Sequence, residues 1–329
     1  MRVLIIGGTG KFSGRITEAV VAAGHQVTLY NRGKSPLPEG VQVPVIPGER
    51  ADIRAHAAEI AALAPEAVID SITYKPEQAE DLAALFPRAR RVVLISTVDV
   101  YGEDIGGAPV TEERAPTPVS DYGIGKLACE GVVLGKLGRS ATVFRPSHIM
   151  GRGFLTTSLW SRSPYFVDRV RQGKVIPAID GGRNLMTPVY AGDIAQWIVR
   201  ALDNPAADGQ VFNACGPQII PQKRYYEIVA EVLGVPLKLA SVPSLVFKRH
   251  FASPPQFNWH RPYSCQKAVS LLGYTPRFGP ELMIRETVEY MLAHNLVRDC
   301  AEDPFDDRLV ELLLRHEAEL GALFAEKAK

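Results

Sequence analysis

The sequence predicts an α/β protein built on a doubly wound parallel sheet. Short apolar runs alternate with amphipathic helical stretches through the first half of the chain. Such runs indicate strands that are buried on both faces, as in a parallel sheet covered by helices. The predicted strands are 3–6, 26–30, 41–46, 67–69, 91–96 and 141–145, and the predicted helices between them are 12–23, 52–63, 77–86 and 120–137.

A change of pattern after Pro146 predicts a smaller C-terminal domain that is interleaved with the first. Residues 151–184 are rich in Gly, Arg, Ser and aromatic residues and have little periodicity, whereas regular periodicity returns around 185–214. Helical segments between proline-rich turns follow, and one amphipathic helix is predicted after Pro304. The predicted organisation is a first domain of 1–150 with 185–214 returning to it, a second domain of 151–184 and 215–300, and a helical extension of 301–329.

Composition excludes several classes of protein. The 37 Lys and Arg residues balance 36 Asp and Glu residues, a net charge of +1, which argues against a general nucleic-acid-binding surface. No apolar run reaches the roughly 20 residues that span a bilayer, and the first residues lack a secretory signal pattern. The four cysteines are scattered, and no His/Cys/Asp cluster has metal-ligand spacing. We therefore expect a cytoplasmic protein that binds no metal, membrane or nucleic acid.

A glycine-rich turn joins the first predicted strand to the first helix. Its sequence is Gly7-Gly8-Thr9-Gly10-Lys11-Phe12-Ser13-Gly14. Glycines let the backbone approach a pyrophosphate closely, and a helix N-terminus supplies free N–H groups. Ser13 stands where a third glycine is usual, and it is small enough to keep the helix near the sheet. The turn therefore predicts a dinucleotide site. Its predicted contacts are Gly7, Thr9, Gly10, Lys11, Phe12 and Ser13.

The end of the second predicted strand bears on which dinucleotide is bound. It reads Tyr30-Asn31-Arg32-Gly33-Lys34 and offers no acid for the ribose hydroxyls of NAD. Arg32, with Lys34, is suited instead to the 2′-phosphate of NADP, although a solvated basic turn has the same composition. We predict an NAD(P) cofactor, with NADP(H) favoured, and contacts from Asn31, Arg32 and Lys34.

A tyrosine and a lysine lie four residues apart in the helix predicted at 120–137. This spacing puts Tyr122 and Lys126 on one face. A phenol has a pKa of about 10, and a nearby ammonium favours the phenolate, which suits acid–base catalysis. The same spacing recurs at Tyr30 and Tyr263, but Tyr30 ends a strand and Tyr263 lies far from the nucleotide half. Tyr122 is therefore the candidate acid/base.

Hydroxyl side chains end the strand predicted at 91–96. Ser96 and Thr97 stand where ligands of a parallel sheet bind, ahead of Tyr122 in the chain. The Thr97 hydroxyl can bond the substrate oxygen whose proton Tyr122 handles, although a threonine here can also simply cap the strand. Asp99, two residues on, is a candidate substrate contact.

Together these motifs resemble the extended short-chain dehydrogenase/reductases of the NAD-dependent epimerase/dehydratase family. The resemblance implies a Rossmann domain and a substrate domain, with Tyr122 as general acid/base, Lys126 holding the nicotinamide ribose, Thr97 orienting the substrate oxygen and Ser96 near the cofactor. The matching pieces are the glycine turn, Ser96-Thr97 ahead of Val100-Tyr101-Gly102, Tyr122-xxx-Lys126, Arg145-Pro146 leading to Gly151, Val189-Tyr190 leading to Asp193-Ile194-Ala195, and Lys267 to Gly273-Tyr274-Thr275-Pro276.

The resemblance has further implications for the site and the assembly. Pro146 and His148 are expected beside the nicotinamide, and His148 is also a candidate substrate contact. The helices at about 77–86 and 120–138 are expected to pair across a homodimer.

One departure bears on the substrate. Nucleotide-sugar members usually carry an Arg where this sequence has Met186, and Arg183 comes three residues early. Arg152, Arg162 and Arg183 are candidates to bind an anionic substrate, although they also read as solvated loop charges.

We therefore expect an NAD(P)-dependent epimerase, dehydratase or reductase that acts on a secondary hydroxyl or ketone of a small molecule, with a sugar or nucleotide-sugar-like substrate favoured. Two alternatives stay open: an NADP(H)-dependent ketone reductase of a non-sugar metabolite, and a non-catalytic dinucleotide-binding sensor or assembly protein.

Overall fold

The computed structural model describes residues 1–156, 159, 163–250 and 258–328. Within them the chain divides into two compact units. The first unit comprises Met1–Gly151, Thr187–Gln218 and Pro262–Gly279, and the second comprises Arg152–Met186, Ile219–Arg261 and the residues from Pro280 onward.

The strands and helices of the described residues alternate through the first half of the chain. The strands are β1 Arg2–Ile6, β2 Gln26–Asn31, β3 Val45–Pro47, β4 Ala67–Asp70, β5 Arg91–Ile95, β6 Ala141–Pro146, β7 His148–Met150, β8 Ile176–Ile179, β9 Leu185–Met186, β10 Pro188–Tyr190, β11 Gln210–Ala214, β12 Ile220–Pro221 and β13 Leu239–Val242. The α-helices are α1 Ser13–Ala22, α2 Ala57–Ala62, α3 Pro76–Leu85, α4 Asp121–Leu137, α5 Phe166–Arg171, α6 Ala191–Ala201, α7 Gln222–Leu233, α8 Ser244–His250, α9 Gln266–Leu272, α10 Pro280–Ala293 and α11 Phe305–Lys327.

A seven-stranded parallel sheet forms the centre of the first unit. Its strand order is β11-β6-β5-β4-β1-β2-β3. From β1 the chain adds β2 and β3 toward one edge of the sheet. It then returns to β4, beside β1, and adds β5, β6 and β11 toward the other edge. The predicted doubly wound sheet is confirmed. The carboxyl ends of β1 and β4 meet where the winding reverses, which is where open α/β sheets bind ligands.

Apolar side chains cover both faces of this sheet. Leu4 and Ile6 of β1 pack into one buried cluster, and Ile5 packs into the cluster on the opposite face. This burial on both sides is the physical reason that the strands read as unbroken apolar runs rather than as alternating ones. No helix in the part of the chain that the structure describes is long and apolar enough to cross a membrane.

The third strand is shorter than the sequence pattern predicts. The apolar run at 41–46 predicted one strand, but β3 begins only at Val45. Pro44 lacks an N–H group and so cannot donate to a strand ladder, although its carbonyl accepts from Leu29 N at 2.9 Å.

Residues 262–279 pack with the first unit, whereas the sequence pattern placed them in the second domain. Two contacts explain the difference. Trp197 of α6 donates through Nε1 to the carbonyl of Tyr274 at 2.9 Å, and the Tyr274 hydroxyl donates to Asp193 of the same helix at 2.5 Å. The helix α9 in this segment also packs beside β11.

The C-terminal helix α11 belongs to the second unit. Its first turn is held by Asp307, whose carboxylate accepts from Arg169 at 2.7 Å and from Lys174 at 2.9 Å. Val310 is the last buried residue that the structure describes, and the side chains from Leu314 to Ala328 are exposed.

Candidate active site

The glycine turn between β1 and α1 adopts a backbone that other residues rarely adopt. Gly7 has φ +101° and Gly8 has φ +88°, both in the left-handed region. A Cβ on Gly8 would lie 2.8 Å from Leu29 Cδ2 and 2.9 Å from Thr17 Oγ1. Thr17 in turn donates to the Gly8 carbonyl at 2.8 Å. The turn is therefore fixed closely between β2 and α1.

The sequence predicts that Ser13 keeps α1 near the sheet, and the structure divides this role between Ser13 and Gly14. The Ser13 hydroxyl accepts from Gly10 N at 3.0 Å, which closes the turn at the start of α1. Gly14 makes the close approach, because a Cβ there would lie 3.3 Å from Pro38 Cγ. A larger side chain at position 14 would therefore press on Pro38.

Asn31 joins the glycine turn to the end of β2. Its side-chain amide donates to the Gly7 carbonyl at 3.0 Å, and its Oδ1 accepts from Gly33 N at 2.8 Å. The side chain is buried, so both of these bonds shape the turn itself.

A cleft of about 440 Å³ opens beside this turn. Arg32 and Lys34 lie on its rim, and both are exposed. The Lys34 ammonium is 3.5 Å from the Glu49 carboxylate. Residues predicted to contact a dinucleotide at the ends of both β1 and β2 thus line one cleft. Its lining residues are Gly7, Thr9, Gly10, Asn31, Arg32, Lys34, Ser35, Gly48, Glu49, Arg50, Ile72, Tyr74 and Gln78.

Helix α4 is pressed against the loops that follow β4 and β5. Its start is capped by Ser120, whose hydroxyl accepts from Gly123 N at 3.1 Å. A Cβ on Gly123 would lie 2.7 Å from the Asp99 carbonyl oxygen, and one on Gly125 would lie 2.8 Å from the Tyr74 carbonyl oxygen. The glycines beside Tyr122 therefore set how closely the helix approaches, a signal that the sequence analysis did not use.

Lys126 is buried at the carboxyl edge of the sheet, with only 1% of its surface exposed. Its Nζ donates to the Thr73 carbonyl at 2.7 Å and to the Ile95 carbonyl at 2.8 Å. Burial lowers the pKa of Lys126 to about 8, against the opposing effect of Asp70. Main-chain oxygens therefore hold a cation whose charged form burial disfavours.

Two tyrosine rings lie near this ammonium. Nζ of Lys126 is 4.5 Å from the ring centre of Tyr74 and 6.0 Å from that of Tyr122. The rings are 6.3 Å apart, and 49% of Tyr74 and 42% of Tyr122 is exposed. Tyr74 was missed by the sequence analysis, because it follows β4 without any motif around it.

Thr97 follows β5, where the structure gives it a capping bond. Its hydroxyl oxygen accepts from Asp99 N at 3.2 Å and so starts a short 3-10 turn, Val98–Tyr101. Its hydroxyl hydrogen is not used by this bond. Asp99 lies inside the turn and is partly exposed.

Ser96 and Pro146 lie in a buried part of the first unit. The Ser96 hydroxyl donates to Glu130, which also accepts from Arg145 at 2.6 Å and 3.0 Å. Arg145 donates further to the Tyr101 hydroxyl at 2.8 Å. This network, which ties α4 to β6, was not predicted. Pro146 ends β6 opposite Ala214, and His148 is buried in β7 opposite Pro188.

Two of the candidate anion-binding arginines, Arg152 and Arg183, belong to the second unit. Arg152 lies 3.5 Å from the Glu286 carboxylate and 5.8 Å from the ring centre of Tyr290. Arg183 is exposed. Arg162 lies outside the described residues.

The sheet, its reversal point and its glycine turn define a Rossmann-type dinucleotide-binding protein. The sequence profile of the NAD-dependent epimerase/dehydratase family matches residues 3–215, and the chain belongs to this family.

Two characterised relatives cover most of the chain. The 2′-dehydrokanamycin reductase of Streptomyces kanamyceticus is 30% identical over 74% of this chain and 70% of its own. The chloroplast stem-loop binding protein of 41 kDa b of Arabidopsis thaliana is 26% identical over 84% of this chain and 75% of its own.

Solved structures show the same fold. The UDP-glucose 4-epimerase of Thermotoga maritima with UDP-glucose is 19% identical, has a TM-score of 0.73 and aligns over 90% of this chain and 100% of its own. The UDP-glucose 4-epimerase of Thermus thermophilus in complex with NAD is 21% identical, with a TM-score of 0.70 over 89% and 99% of the two chains.

Proposed function

We propose that the protein is an NAD(P)-dependent oxidoreductase that acts on a secondary hydroxyl or ketone. One observation carries the proposal: the Lys126 ammonium bonds the last residue of β5, Ile95, and lies 6.0 Å from the ring of Tyr122. It thereby links the strand end that carries Thr97 to the helix that carries Tyr122, at the same sheet edge as the glycine turn.

The first unit has the features that a dinucleotide needs. The left-handed glycines form a closely packed turn at the start of α1, and the cleft beside it, lined by Gly7, Thr9 and Gly10, can take a nucleotide. Arg32 and Lys34 favour NADP(H), because a 2′-phosphate adds charge that the basic rim attracts. When bound, the nicotinamide supplies a carbon that accepts or donates hydride. We propose that the second unit binds the substrate.

Each side chain at the sheet edge has a defined task in this proposal. The Tyr122 phenolate takes the proton from the substrate alcohol, or in the reverse direction the Tyr122 hydroxyl gives its proton to the ketone oxygen as hydride arrives. The Thr97 hydroxyl donates its remaining hydrogen to the same substrate oxygen. Lys126 stays anchored by two carbonyls, and its positive charge favours the phenolate of Tyr122. Pro146 and His148 border the nicotinamide, and Asp99 with Arg152 and Arg183 are candidate substrate contacts.

A sugar or sugar-like substrate is favoured. Support comes from the relative named 2′-dehydrokanamycin reductase and from family membership. If a substrate ketone takes hydride from NAD(P)H and leaves as the alcohol, the enzyme is a reductase. If a substrate alcohol is first oxidised to a transient ketone and the hydride returns to the other face, it is an epimerase. If a neighbouring group is eliminated from that ketone before the hydride returns, it is a dehydratase. Consumption of added NADPH against a panel of sugar and non-sugar ketones separates the first outcome from the other two.

A non-catalytic role is the second candidate, as a dinucleotide-binding sensor, assembly protein or RNA-associated member. Its support is the relative that is a chloroplast stem-loop binding protein. Retention of both Tyr122 and Lys126 argues for the enzyme. Mass spectrometry of the denatured purified protein identifies any retained dinucleotide or small ligand, and turnover then separates the two candidates. Binding of NADPH without turnover of any ketone in the panel would favour the second candidate.

We also propose a homodimer formed through α3 and α4. These helices pack against each other, and α4 presents Gly131 and Gly135 to solvent, with no atom within 4 Å of a Cβ built on either. Small residues at this spacing let a second helix approach closely.

A further inference from the structure

The loop after β4 is shaped by the carboxylate of Asp70, which is fully buried. One oxygen of Asp70 accepts from Ile72 N at 2.8 Å, and the other accepts from the Thr73 hydroxyl at 2.6 Å. These two bonds fix the backbone between Asp70 and Thr73. The Thr73 carbonyl, which receives the Lys126 ammonium, is therefore oriented by Asp70.

Arg50 holds the same carboxylate from the side of the cleft. Its Nε donates to Asp70 at 3.1 Å, and its Nη2 donates to the Thr73 hydroxyl at 3.1 Å and to the Gln78 carbonyl at 2.6 Å. Arg50 is buried and lines the cleft that contains the glycine turn. Its Nη1 has no hydrogen bond and lies 3.7 Å from Asp81.

We propose that Asp70 and Arg50 are positioning residues for Lys126: Asp70 orients the Thr73 carbonyl that receives the ammonium and supplies its counter-charge, and Arg50 holds this carboxylate and offsets its charge. The inference deepens the proposed function and rests on it for its catalytic meaning. The charge effect itself is independent of turnover.

The charged and titratable groups around Lys126 leave Asp70 as its principal counter-charge. Burial raises the pKa of the Cys129 thiol to about 11, so this group is neutral. Glu130 is already paired with Arg145 and accepts from Ser96. The aromatic rings of Tyr74 and Tyr122 also lie near this ammonium. Of these groups, only the Asp70 carboxylate both supports Lys126 electrostatically and orients its carbonyl acceptor.

Because Asp70 and Arg50 carry opposite charges, removing each of them is expected to shift the pH midpoint of Lys126 titration in opposite directions. An ion pair with a merely structural role would not give this result. In Asp70→Asn, the Arg50 cation stays without its carboxylate, and the midpoint of Lys126 titration falls by about one pH unit. In Arg50→Gln, the Asp70 carboxylate stays without its cation, and the midpoint rises by roughly half a unit. The double variant returns toward the native midpoint.

The test measures the reactivity of Lys126 toward trace acetic anhydride as a function of pH, quantified by mass spectrometry in the full-length protein. The pH dependence of NADPH binding, followed by fluorescence, is the second readout, and Lys126→Met identifies which part of it belongs to this lysine. Asp70→Glu keeps the charge and is expected to keep the native midpoint. Thr73→Val removes the hydroxyl link but no charge, so it weakens NADPH binding without moving the midpoint.

Shifts of both single variants in the same direction, or of neither, would overturn the inference. If Asp70→Asn fails to fold, the upward shift of Arg50→Gln and its reversal in the double variant decide the matter. Opposite shifts without turnover of any ketone would retain the inference about Lys126 and reject the proposed oxidoreductase. Turnover of a ketone with unmoved midpoints would retain the proposed oxidoreductase and reject the inference about Lys126.

Discussion

The ammonium of Lys126 donates a 2.7 Å hydrogen bond to the carbonyl oxygen of Thr73, which lies 53 residues earlier in the chain. This bond ties α4 to the loop after β4, and a second bond to Ile95 ties it to β5. Because main-chain oxygens fix the ammonium, its position does not depend on Tyr122.

Replacing Tyr122 with Phe removes the proposed proton donor and acceptor. We expect turnover to fall by at least ~10²-fold, the usual range for loss of a general acid or base, with NADPH affinity nearly unchanged. Tyr74→Phe is the matched control, since it removes a hydroxyl from the other tyrosine beside Lys126. Steady-state kinetics and NADPH titration check both variants. Equal losses in the two would contradict the assignment.

Replacing Arg32 with Ala tests the preference for NADP(H). Loss of a charged hydrogen bond to a phosphate costs about 2 kcal/mol, so NADPH affinity is expected to fall at least roughly 10-fold more than NADH affinity. Lys34→Ala should have a smaller effect, because this exposed ammonium already lies near Glu49. Dissociation constants from fluorescence titration measure both. Equal weakening of the two dinucleotides would remove the preference for NADP(H).

Gly8→Ala and Gly24→Ala separate backbone strain from steric conflict. Both glycines have a left-handed φ, +88° and +83°, but a Cβ on Gly24 meets no atom within 4 Å. We expect Gly24→Ala to lower the free energy of unfolding by about 1 kcal/mol, and Gly8→Ala by about 3 kcal/mol with loss of dinucleotide binding. Urea denaturation measures the difference. Similar values for the two variants would show that the turn is not as closely packed as described.

Burial of Lys126 predicts a pH-dependent contribution to stability. Its folded-state pKa of about 8 lies below the ordinary value of 10.5, so the unfolded chain binds this proton more tightly. The group therefore opposes folding below about pH 8, and this cost of about 3 kcal/mol disappears as the pH rises toward 10.5.

Lys126→Met is expected to remove that dependence. Relative to the native protein, its free energy of unfolding should fall by up to about 3 kcal/mol between pH 7.5 and 10.5. Lys136→Met is the control, because Lys136 lies on the same helix and is exposed. Denaturation at several pH values gives the comparison, and parallel curves for the native protein and Lys126→Met would contradict it.

A bulky residue on the open face of α4 tests the proposed dimer. Gly135→Trp is expected to convert a dimer into a monomer, whereas Gly135→Ala preserves the dimer because the added methyl group is small. Sedimentation velocity measures the mass. A native protein that is monomeric at micromolar concentration would contradict the proposal, as would a dimeric Gly135→Trp variant.

Local patterns predicted the sheet and the glycine turn because each is encoded in consecutive residues. The apolar runs reflect strands buried on both faces, and the spacing of Tyr122 and Lys126 reflects one helical turn. The position of α4 against the two loops was encoded at Gly123 and Gly125, but the need for glycine becomes evident only from the carbonyls that they face.

Arg50 and Asp70 could not be found in this way. They lie 20 residues apart, and neither belongs to a periodic pattern or a motif. Their pairing arises because β3 and β4 end at the same edge of the sheet. The segment 262–279 was assigned to the second domain for a similar reason, since its contacts with Trp197 and Asp193 span roughly 80 residues of chain.

The most direct test of the proposed oxidoreductase is a crystal structure of the protein with NADPH. The account predicts a pyrophosphate at the glycine turn, a nicotinamide ribose hydroxyl within about 3 Å of Lys126 Nζ, and the reactive ring carbon facing the space between Thr97 and Tyr122. A dinucleotide bound away from Lys126, or no binding at millimolar NADPH, would contradict it.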